Sequence, residues 1–593
     1  MKLLLRTFVP MLLVTSGVVA QGYVAPEWST RSNAEAQILM EVYARFYPES
    51  AGRFGMAGLD GRVVDLGPAR SERLRAAFLA TAAELEGRLP REKDPRVRRD
   101  LEILRGEALL QAAVVEADQR YLLPNFDVGE QVYRGIRALL TDQVVAARYP
   151  AAIVRLGRYA GLEEGYTPLA TLAEARVREQ LGTIGLLFPY KSEIEQQLAN
   201  SNAYLDGIAE LLDQYRVRGG DKALKELRVQ IRTWNDFLRR EILPKAREDF
   251  RLPTDLYAIR LREVGVDIPP AQLAARARTA FIEIRNQMVA LAPLVARDQQ
   301  MEATDYRSVI RLLRARQVEG DATLPLYRER LAAIEAIIRR EKILTLPQRE
   351  ALIRLATAGE SASTPAPSMH PPPFVNNQGE RGEFVLPLNM PSVDGVAPAG
   401  RLADFTFDAV TWTLTAHEAR PGHELQFASM VENGVSLARA LFAFNSVNVE
   451  GWALYAEAEM QPYLPLDGQL IALQFRLYRA ARAFLDPGLQ QGTISLDEAR
   501  RVLTEEVVLT DANAEQELQR YTFRAPGQAT SYFYGYQRLL ELRARTEITL
   551  GSRFNRQRFH DFVLAQGLLP PDLLAKAVQD EFVPAERQKR LAP

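Results

Sequence analysis

Apolar residues follow a helical repeat through most of the chain. Between residues 34 and 359 they recur at intervals of three and four, as Leu101 and Leu104 do. Turn residues interrupt the repeat at Gly219-Gly220, at Pro253 and at Pro269-Pro270. The repeat returns after residue 400 and continues almost to the end. The pattern therefore predicts a mainly α fold in which helices are separated at these breaks.

The segment from residue 361 to residue 400 departs from this repeat because it is rich in proline and glycine. Within it, residues 383–389 (E-F-V-L-P-L-N) are of the types found in a short strand, and Pro387 would confine that strand to a sheet edge. Edge strands can bind extended peptides by strand addition. We therefore expect a long loop with a short edge strand or small sheet near a functional site.

The N-terminus has the features of a secretory signal peptide over residues 1–20. Lys2 and Arg6 precede an apolar run that ends in small residues around Ala20. A membrane anchor is the alternative, but the run is shorter than the ~20 residues that a spanning helix needs. We expect cleavage after Ala20, an exported protein that is periplasmic or secreted, and no stable membrane span afterwards.

The remaining residues, 21–593, are expected to form one folded body. It comprises a helical region at 21–360, the proline- and glycine-rich loop at 361–400 and a second helical region at 401–593. The sequence leaves the oligomeric state open.

Composition excludes several classes of function. The formal net charge is -1 and the pI is about 6.6, so we expect no nucleic-acid partner. The sequence has no cysteine, which excludes disulfides, thiolate metal ligands, cysteine nucleophiles and a lipid-modified N-terminal cysteine. Any transition-metal site must therefore use histidine and carboxylate ligands.

Two of the four histidines lie in the stretch T-A-H-E-A-R-P-G-H-E-L-Q at residues 415–426. His417 and His423 can offer two imidazoles to zinc, and Glu418 can act as the base for water. On a straight helix a separation of six residues leaves the imidazoles roughly 120° apart. Pro421 and Gly422 break helical geometry between them, so a kink or bulge there can restore a shared face.

A catalytic zinc site needs a third protein ligand. The segment N-V-E-G-W-A-L-Y-A-E at residues 448–457 places Glu450 and Glu457 seven residues apart, within about 20° on an apolar helix. Two carboxylates on such a face are costly without a cation. We assign Glu450 as the third ligand and Glu457 as an outer group that orients a ligand histidine. Taken singly, each residue also fits a cap, a core or a solvated position, but together they favour a metal site.

The strings H-E-A-R-P-G-H-E-L-Q and E-G-W-A-L-Y-A-E resemble the two signature motifs of the bacterial family known as domain of unknown function 885. The resemblance covers most of the chain after Gly400. This family is similar to the helical zincins, which include carboxypeptidases and oligopeptidases. The resemblance implies a large helical zincin-like body with a deep cleft, a zinc ion as cofactor and a peptide substrate. This sequence departs from the family pattern at Glu424 and Gln490, where members often have histidine.

A third family-like stretch, R-A-P-G-Q-A-T-S-Y-F-Y-G, spans residues 524–535. Tyr532 is our candidate oxyanion donor, since a hydroxyl can stabilise negative charge on a carbonyl oxygen. Tyr521, Arg524 and Gln528 are candidate substrate-binding residues, with packing or capping as the alternative.

The two other histidines are interpreted differently. We read His370, beside three prolines, as a loop residue. His560 is left open between a core residue and a functional one.

These residues together predict hydrolysis in which zinc activates a water molecule and Glu418 accepts the proton. Two alternatives remain. One is a periplasmic protein that binds a metal or a peptide without catalysis. The other is a metal-dependent hydrolase of non-peptide amides or esters.

Overall fold

The computed structural model describes residues 26–318, 320–389 and 402–589. The predicted signal peptide at residues 1–20 lies outside these ranges. The fold is mainly α, as the hydrophobic pattern predicts. The helices of the first two thirds are α1 (Glu27–Phe46), α2 (Pro48–Arg53), α3 (Arg70–Arg88), α4 (Pro95–Tyr121), α5 (Val128–Arg137), α6 (Ala151–Tyr159), α7 (Leu169–Gln180), α8 (Lys191–Gln214), α9 (Asp221–Phe237), α10 (Thr254–Glu263), α11 (Pro270–Asp298), α12 (Tyr306–Ala315), α13 (Thr323–Glu341) and α14 (Ala358–Ser363).

The helices of the last third follow the loop segment. They are α15 (Asp408–Leu414), α16 (His423–Glu432), α17 (Ser446–Met460), α18 (Leu466–Gln490), α19 (Leu496–Arg501), α20 (Asp511–Gln519), α21 (Ser531–Leu550), α22 (Arg556–Ala565), α23 (Pro571–Ala577) and α24 (Val583–Gln588). The helix breaks predicted at Gly219-Gly220, Pro253 and Pro269-Pro270 are confirmed, since α9, α10 and α11 begin directly after or at them.

Helices from both ends of the sequence share one hydrophobic core. Leu39 of α1 and Leu104 of α4 belong to the same buried cluster as Trp452 of α17 and Phe559 of α22. Asp100 on α4 reinforces this contact, because its buried carboxylate accepts hydrogen bonds from Ser32, Ser436 and Arg439 at 2.6 to 2.8 Å. The helices α5 to α9 pack around a separate cluster.

Two helix pairs support the region of the candidate site. Helix α18 packs along α11 and is buried on nearly all sides from Gly468 to Gln490. Helices α17 and α21 cross at Gly451 and Gly535. A Cβ atom on Gly535 would lie 1.9 Å from the carbonyl oxygen of Val447, so this crossing requires glycine.

A three-stranded sheet is formed by β1 (Leu352–Leu355), β2 (Ser368–His370) and β3 (Glu383–Leu386). The order is β1-β3-β2, with β3 parallel to β1 and antiparallel to β2. The predicted small sheet is therefore confirmed, but the prediction of an edge strand at residues 383–389 is wrong. Strand β3 pairs on both sides, with β1 and with β2. Pro387 does not prevent this, because β3 ends at Leu386 and the missing N–H of Pro387 falls outside the ladder.

The edge strand nearest the candidate site is β2. It packs against the helical turn that holds His417 and Glu418. In the described ranges, no helix is long and apolar enough to cross a membrane.

Candidate metal centre

The two motif histidines lie on separate helical segments that meet at a backbone break. Helix α15 continues into a π-helical turn, Thr415–Ala419, and Arg420 then adopts extended geometry. The Arg420–Pro421 peptide bond is cis, and α16 begins at His423. The predicted interruption at Pro421-Gly422 is present, although it separates two helices instead of kinking one.

Gly422 makes this break possible because its α-carbon packs directly on the preceding turn. A Cβ atom there would lie 1.8 Å from the carbonyl oxygen of His417. The indole Nε1 of Trp452 donates a hydrogen bond to the carbonyl oxygen of Pro421 at 3.0 Å, which ties the break to α17.

His417, His423 and Glu450 converge from three segments. The imidazole rings of the two histidines are 4.8 Å apart and nearly perpendicular. Their Nε2 atoms lie 3.5 and 3.3 Å from Oε2 of Glu450, and the three candidate ligand atoms are all within 4.8 Å of one another. Tetrahedral zinc with bonds of 2.0–2.2 Å would hold its ligand atoms about 3.3–3.6 Å apart. The two separations between the histidines and Glu450 therefore match those of a tetrahedral zinc site.

Glu457 contacts the second ring nitrogen of His417, Nδ1. Its Oε1 lies 2.6 Å from Nδ1 of His417, and its Oε2 accepts a hydrogen bond from Thr413 at 2.6 Å. Burial by itself would raise the pKa of Glu457, but Arg479, His417 and Thr413 lower it overall. The ionised carboxylate thus orients His417 through Nδ1, so that Nε2 faces Glu450.

The imidazoles and carboxylates of this site shift one another's pKa values. Burial alone would lower the pKa of His417, but Glu450 and Glu457 raise it to about 9. Burial alone would raise the pKa of Glu450, but the two imidazoles hold it well below its usual value. These carboxylates are therefore ionised, and the imidazoles beside them stabilise their negative charge.

Glu418 follows His417 in the chain and interacts electrostatically with all three members of the triad. Its side chain is buried, and its Oε2 has no hydrogen-bond partner among the described residues. Burial raises its pKa, and the negative charge of Glu450 adds to this, while the two imidazoles act in the opposite direction. A carboxylate with a raised pKa and a free oxygen can accept a proton from water.

Tyr532 is the member of the third sequence stretch that lies next to the triad. Its ring is parallel to that of His417, with the centroids 6.3 Å apart. Its hydroxyl lies 3.5 Å from Nη1 of Arg520. Burial, with Glu450 as a second cause, raises the pKa of Tyr532, so its hydroxyl is a neutral donor.

The other three candidates have different environments. Tyr521 is fully buried and donates its hydroxyl hydrogen to Glu517 at 2.7 Å. Arg524 is exposed and donates to Gln196 and Gln516. Gln528 donates to Ser446, one helical turn before Glu450 on α17. In the described part of the chain, none of the three hydrogen-bonds to the triad.

The two departures from the family motif have structural roles. Glu424 is buried and accepts a hydrogen bond from Arg420 at 2.7 Å, which secures the backbone break. Gln490 accepts from the backbone N–H of Leu252 and donates to the carbonyl of Tyr521, at 2.9 and 2.7 Å. Each therefore acts as a cross-link between chain segments.

The remaining histidines lie outside the triad. His560 contacts the hydroxyl of Tyr455 at 2.7 Å and the carbonyl of Ile343 at 2.8 Å, and burial lowers its pKa to about 3. It is a neutral core residue. His370 was expected in a loop but lies in β2, where it lines a cavity of about 660 Å³ on the sheet face opposite Phe384. Burial lowers its pKa to about 4.

The sequence motifs did not identify four residues that lie beside the site. Thr413 had a usable signal, because it precedes His417 by four residues and so shares its helix face. Arg479, Arg482 and Arg520 are spread over α18 and the π-helical turn Arg520–Arg524. Their common surroundings depend on packing between distant segments, which no local pattern reveals.

Comparison with known proteins gives the family. A family model described as a bacterial protein of unknown function, DUF885, matches residues 48–578. The chain belongs to the DUF885 family. No curated protein matches it.

Two solved structures share the DUF885 fold of this chain. One is a "putative lipoprotein" from Colwellia psychrerythraea, with a TM-score of 0.72, 17% identity, and coverage of 94% of this chain and 99% of that one. The other is a "putative lipoprotein of unknown function" from Shewanella oneidensis, with a TM-score of 0.67, 18% identity, and coverage of 94% and 100%. At these identities the likeness is one of fold alone.

Proposed function

We propose that this DUF885 protein is a zinc-dependent peptidase. The observation that supports this most strongly is the convergence of His417, His423 and Glu450 with the unpartnered carboxylate of Glu418 beside them. A site that only stores metal has no need of a buried base next to its ligands. Three protein ligands with an open position are typical of catalytic zinc.

In the proposed reaction, zinc supplies a Lewis acid that lowers the pKa of water and polarises a carbonyl group. Glu418 accepts the proton of the attacking water and passes it to the leaving amine. The hydroxyl of Tyr532 donates a hydrogen bond to the carbonyl oxygen as negative charge develops on it. Glu457 keeps His417 in the tautomer that presents Nε2 to the metal.

Strand β2 offers a way to align a peptide substrate. It is an edge strand of the sheet and packs against the turn that holds His417 and Glu418. An extended peptide can add to such an edge through main-chain hydrogen bonds. This role belongs to β2, since both sides of β3 are already paired.

We also propose that the protein acts outside the cytoplasm, in the periplasm or the medium. The signal-peptide features of residues 1–20 and the lipoprotein descriptions of the two structural neighbours support this. This sequence lacks the cysteine that lipid attachment needs. We expect the exported protein to begin near Gln21. N-terminal sequencing that finds Met1 on exported protein would contradict cleavage.

Substitution of Glu418 tests the proposed chemistry. Glu418→Gln is nearly isosteric and leaves the three metal ligands in place, so zinc should stay near one equivalent. Loss of the base should lower kcat about 100- to 10,000-fold. The measurements are zinc content and the rate of hydrolysis of a mixed peptide library by mass spectrometry.

A matched control is Glu116→Gln, which makes the same chemical change on α4 at an acid whose side chain is 62% exposed. Glu116 forms a solvent-exposed ion pair with Arg75, and such pairs contribute about 0–1 kcal/mol, so this variant should keep the zinc content and most of the activity. If Glu418→Gln hydrolyses peptides at the wild-type rate, the assignment of the base is wrong. If the zinc-loaded wild-type protein cleaves nothing in the library, a binding protein without catalysis is the better interpretation.

A further inference from the structure

Buried polar atoms without a hydrogen-bond partner collect around the triad. Among the described residues they include Oε2 of Glu418, Oε2 of Glu450 and Nδ1 of His423. Metal binding and base catalysis account for the two carboxylate oxygens. Nε and Nη1 of Arg479 are also buried without a partner, and the proposed chemistry does not use them.

Arg479 is a buried cation with incomplete pairing. Its side chain is 6% exposed, and its guanidinium lies over the rings of Phe475 and Tyr478 at 4.7 and 5.3 Å. Its Nη2 is 3.8 Å from Oε1 of Glu457, beyond hydrogen-bond distance. Buried guanidinium donors are costly when unpaired, so such a group points to an anion that binds from outside the chain.

Two more arginines surround the same region. Arg482 makes two hydrogen bonds to Glu517, at 2.8 and 2.7 Å, and Glu517 also accepts from Tyr521. Arg520 lies 3.8 Å from that carboxylate. Within 4 Å, the described carboxylate partners of these three guanidinium groups are Glu457 and Glu517, and Glu457 is also bound to His417.

The ring of Tyr532 joins this cluster to the metal centre. The guanidinium carbons of Arg482 and Arg479 are 4.6 and 5.6 Å from its centroid, and the ring of His417 is 6.3 Å away. One extended residue spans about 3.3–3.6 Å. An anion bound by Arg479 and Arg520 would therefore lie within about three residues of a peptide bond held at the metal.

We propose that Arg479 and Arg520 form a subsite for the free α-carboxylate of a peptide, so that the enzyme is a carboxypeptidase that releases one to three residues. This rests on the proposed peptidase function. Arginine suits the role because its planar donors pair with both oxygens of a carboxylate. The subsite replaces Arg524, whose guanidinium is exposed and already bonded to Gln196 and Gln516.

Two peptides that differ only at the C-terminus, as free acid and as amide, test the subsite. Hydrogen bonds to charged groups contribute about 1.5–3 kcal/mol, so wild-type kcat/KM should favour the acid by about 10- to 150-fold. In Arg479→Gln and in Arg520→Gln this ratio should fall towards one. Arg479 also acts on Glu457 and Arg520 on the hydroxyl of Tyr532, so the rate on the amide reports any loss common to both peptides and the acid-to-amide ratio isolates the subsite. Arg479→Lys should restore part of the preference. If Arg479→Gln fails to fold, Arg520→Gln, at the less buried position, still tests the subsite.

Arg524→Gln is the matched control and should leave the ratio unchanged. Equal cleavage of acid and amide by the wild-type enzyme would overturn the subsite while leaving the peptidase proposal intact. If the zinc-loaded wild type cleaves neither peptide, the peptidase proposal fails. In that case the subsite can be tested independently of catalysis. Calorimetry then measures the binding of the two peptides to zinc-loaded Glu418→Gln. Tighter binding of the acid, lost in Arg479→Gln and Arg520→Gln, would support it, and equal binding would overturn it.

Discussion

At the scale of single residues, the two acids of α17 have different environments although they lie on one helix face. Glu450 approaches both imidazoles, and its side chain is 16% exposed. Glu457 is almost fully buried. It contacts Nδ1 of His417 and accepts a hydrogen bond from Thr413. The first can reach a metal ion, and the second can only orient a ligand.

We therefore expect different losses of zinc affinity from the two acids. Glu450→Ala removes one of three ligands, so bound zinc should fall well below one equivalent. Glu457→Gln leaves all three ligands but weakens the hydrogen bond to Nδ1 of His417, which should reduce affinity about 10- to 100-fold. Both values can be measured by titration with a competing chelator.

Two further variants complete this comparison. His423→Ala should match Glu450→Ala, because both remove a ligand. If Glu450→Ala retains a full equivalent of zinc while Glu457→Gln loses it, the ligand role belongs to Glu457, and the two histidines remain as half of the site.

At the scale of elements, the crossing of α17 and α21 sets the distance between Glu450 and Tyr532. Gly451 and Gly535 face each other at this crossing, and a Cβ atom on Gly451 would lie 2.5 Å from the backbone of Gly535. The helices can approach this closely only because both positions lack a side chain. The position of Tyr532, the proposed oxyanion donor, therefore depends on these two glycines.

Gly535→Ala should push α17 and α21 apart. Overpacking of a close contact costs about 1–3 kcal/mol, so the midpoint of thermal unfolding should fall and zinc affinity should weaken with it. Gly106→Ala in α4 is the control, because a Cβ atom there meets no atom within 4 Å. That variant should be neutral or slightly stabilised, since alanine favours the helix over glycine. Equal unfolding midpoints for the two variants would contradict the requirement for glycine at the crossing.

At the scale of the whole molecule, the metal centre lies where distant parts of the sequence are packed together. Ala416 of the π-helical turn, Leu425 of α16 and Trp452 of α17 belong to the buried cluster that also contains residues of α1, α3 and α4. A metal ion shared by His417, His423 and Glu450 would link three of these segments. Its binding energy would therefore add to the stability of this core.

Zinc should raise the midpoint of thermal unfolding. A ligand that binds only the folded state at 100 times its Kd contributes about 2.7 kcal/mol. Unfolding scans of the metal-free protein, with and without added zinc, measure the shift. His417→Ala should show little shift. Stoichiometric zinc binding without any change in the midpoint would contradict a site that joins these segments.

The sequence by itself determined the features that arise within a few consecutive residues. The three- and four-residue spacing of apolar positions gave the helices, and glycine and proline gave their breaks. His417, Glu418 and His423 stood out because they lie in one short window, and Glu450 and Glu457 because one helix face repeats every seven residues. The interruption at Pro421-Gly422 followed from the backbone limits of those two residues.

Only the tertiary structure decided which distant segments meet. Strand β3 is central because the two preceding strands, β1 and β2, pair with its two sides, a pairing that the edge preference of Pro387 did not reveal. Arg479 and Arg520 lie beside Tyr532 because α18 packs against the segment that follows α20, whereas Arg524 in the motif faces solvent. Such contacts depend on the packing of whole helices. Their residues are far apart in the chain, so no local spacing records them.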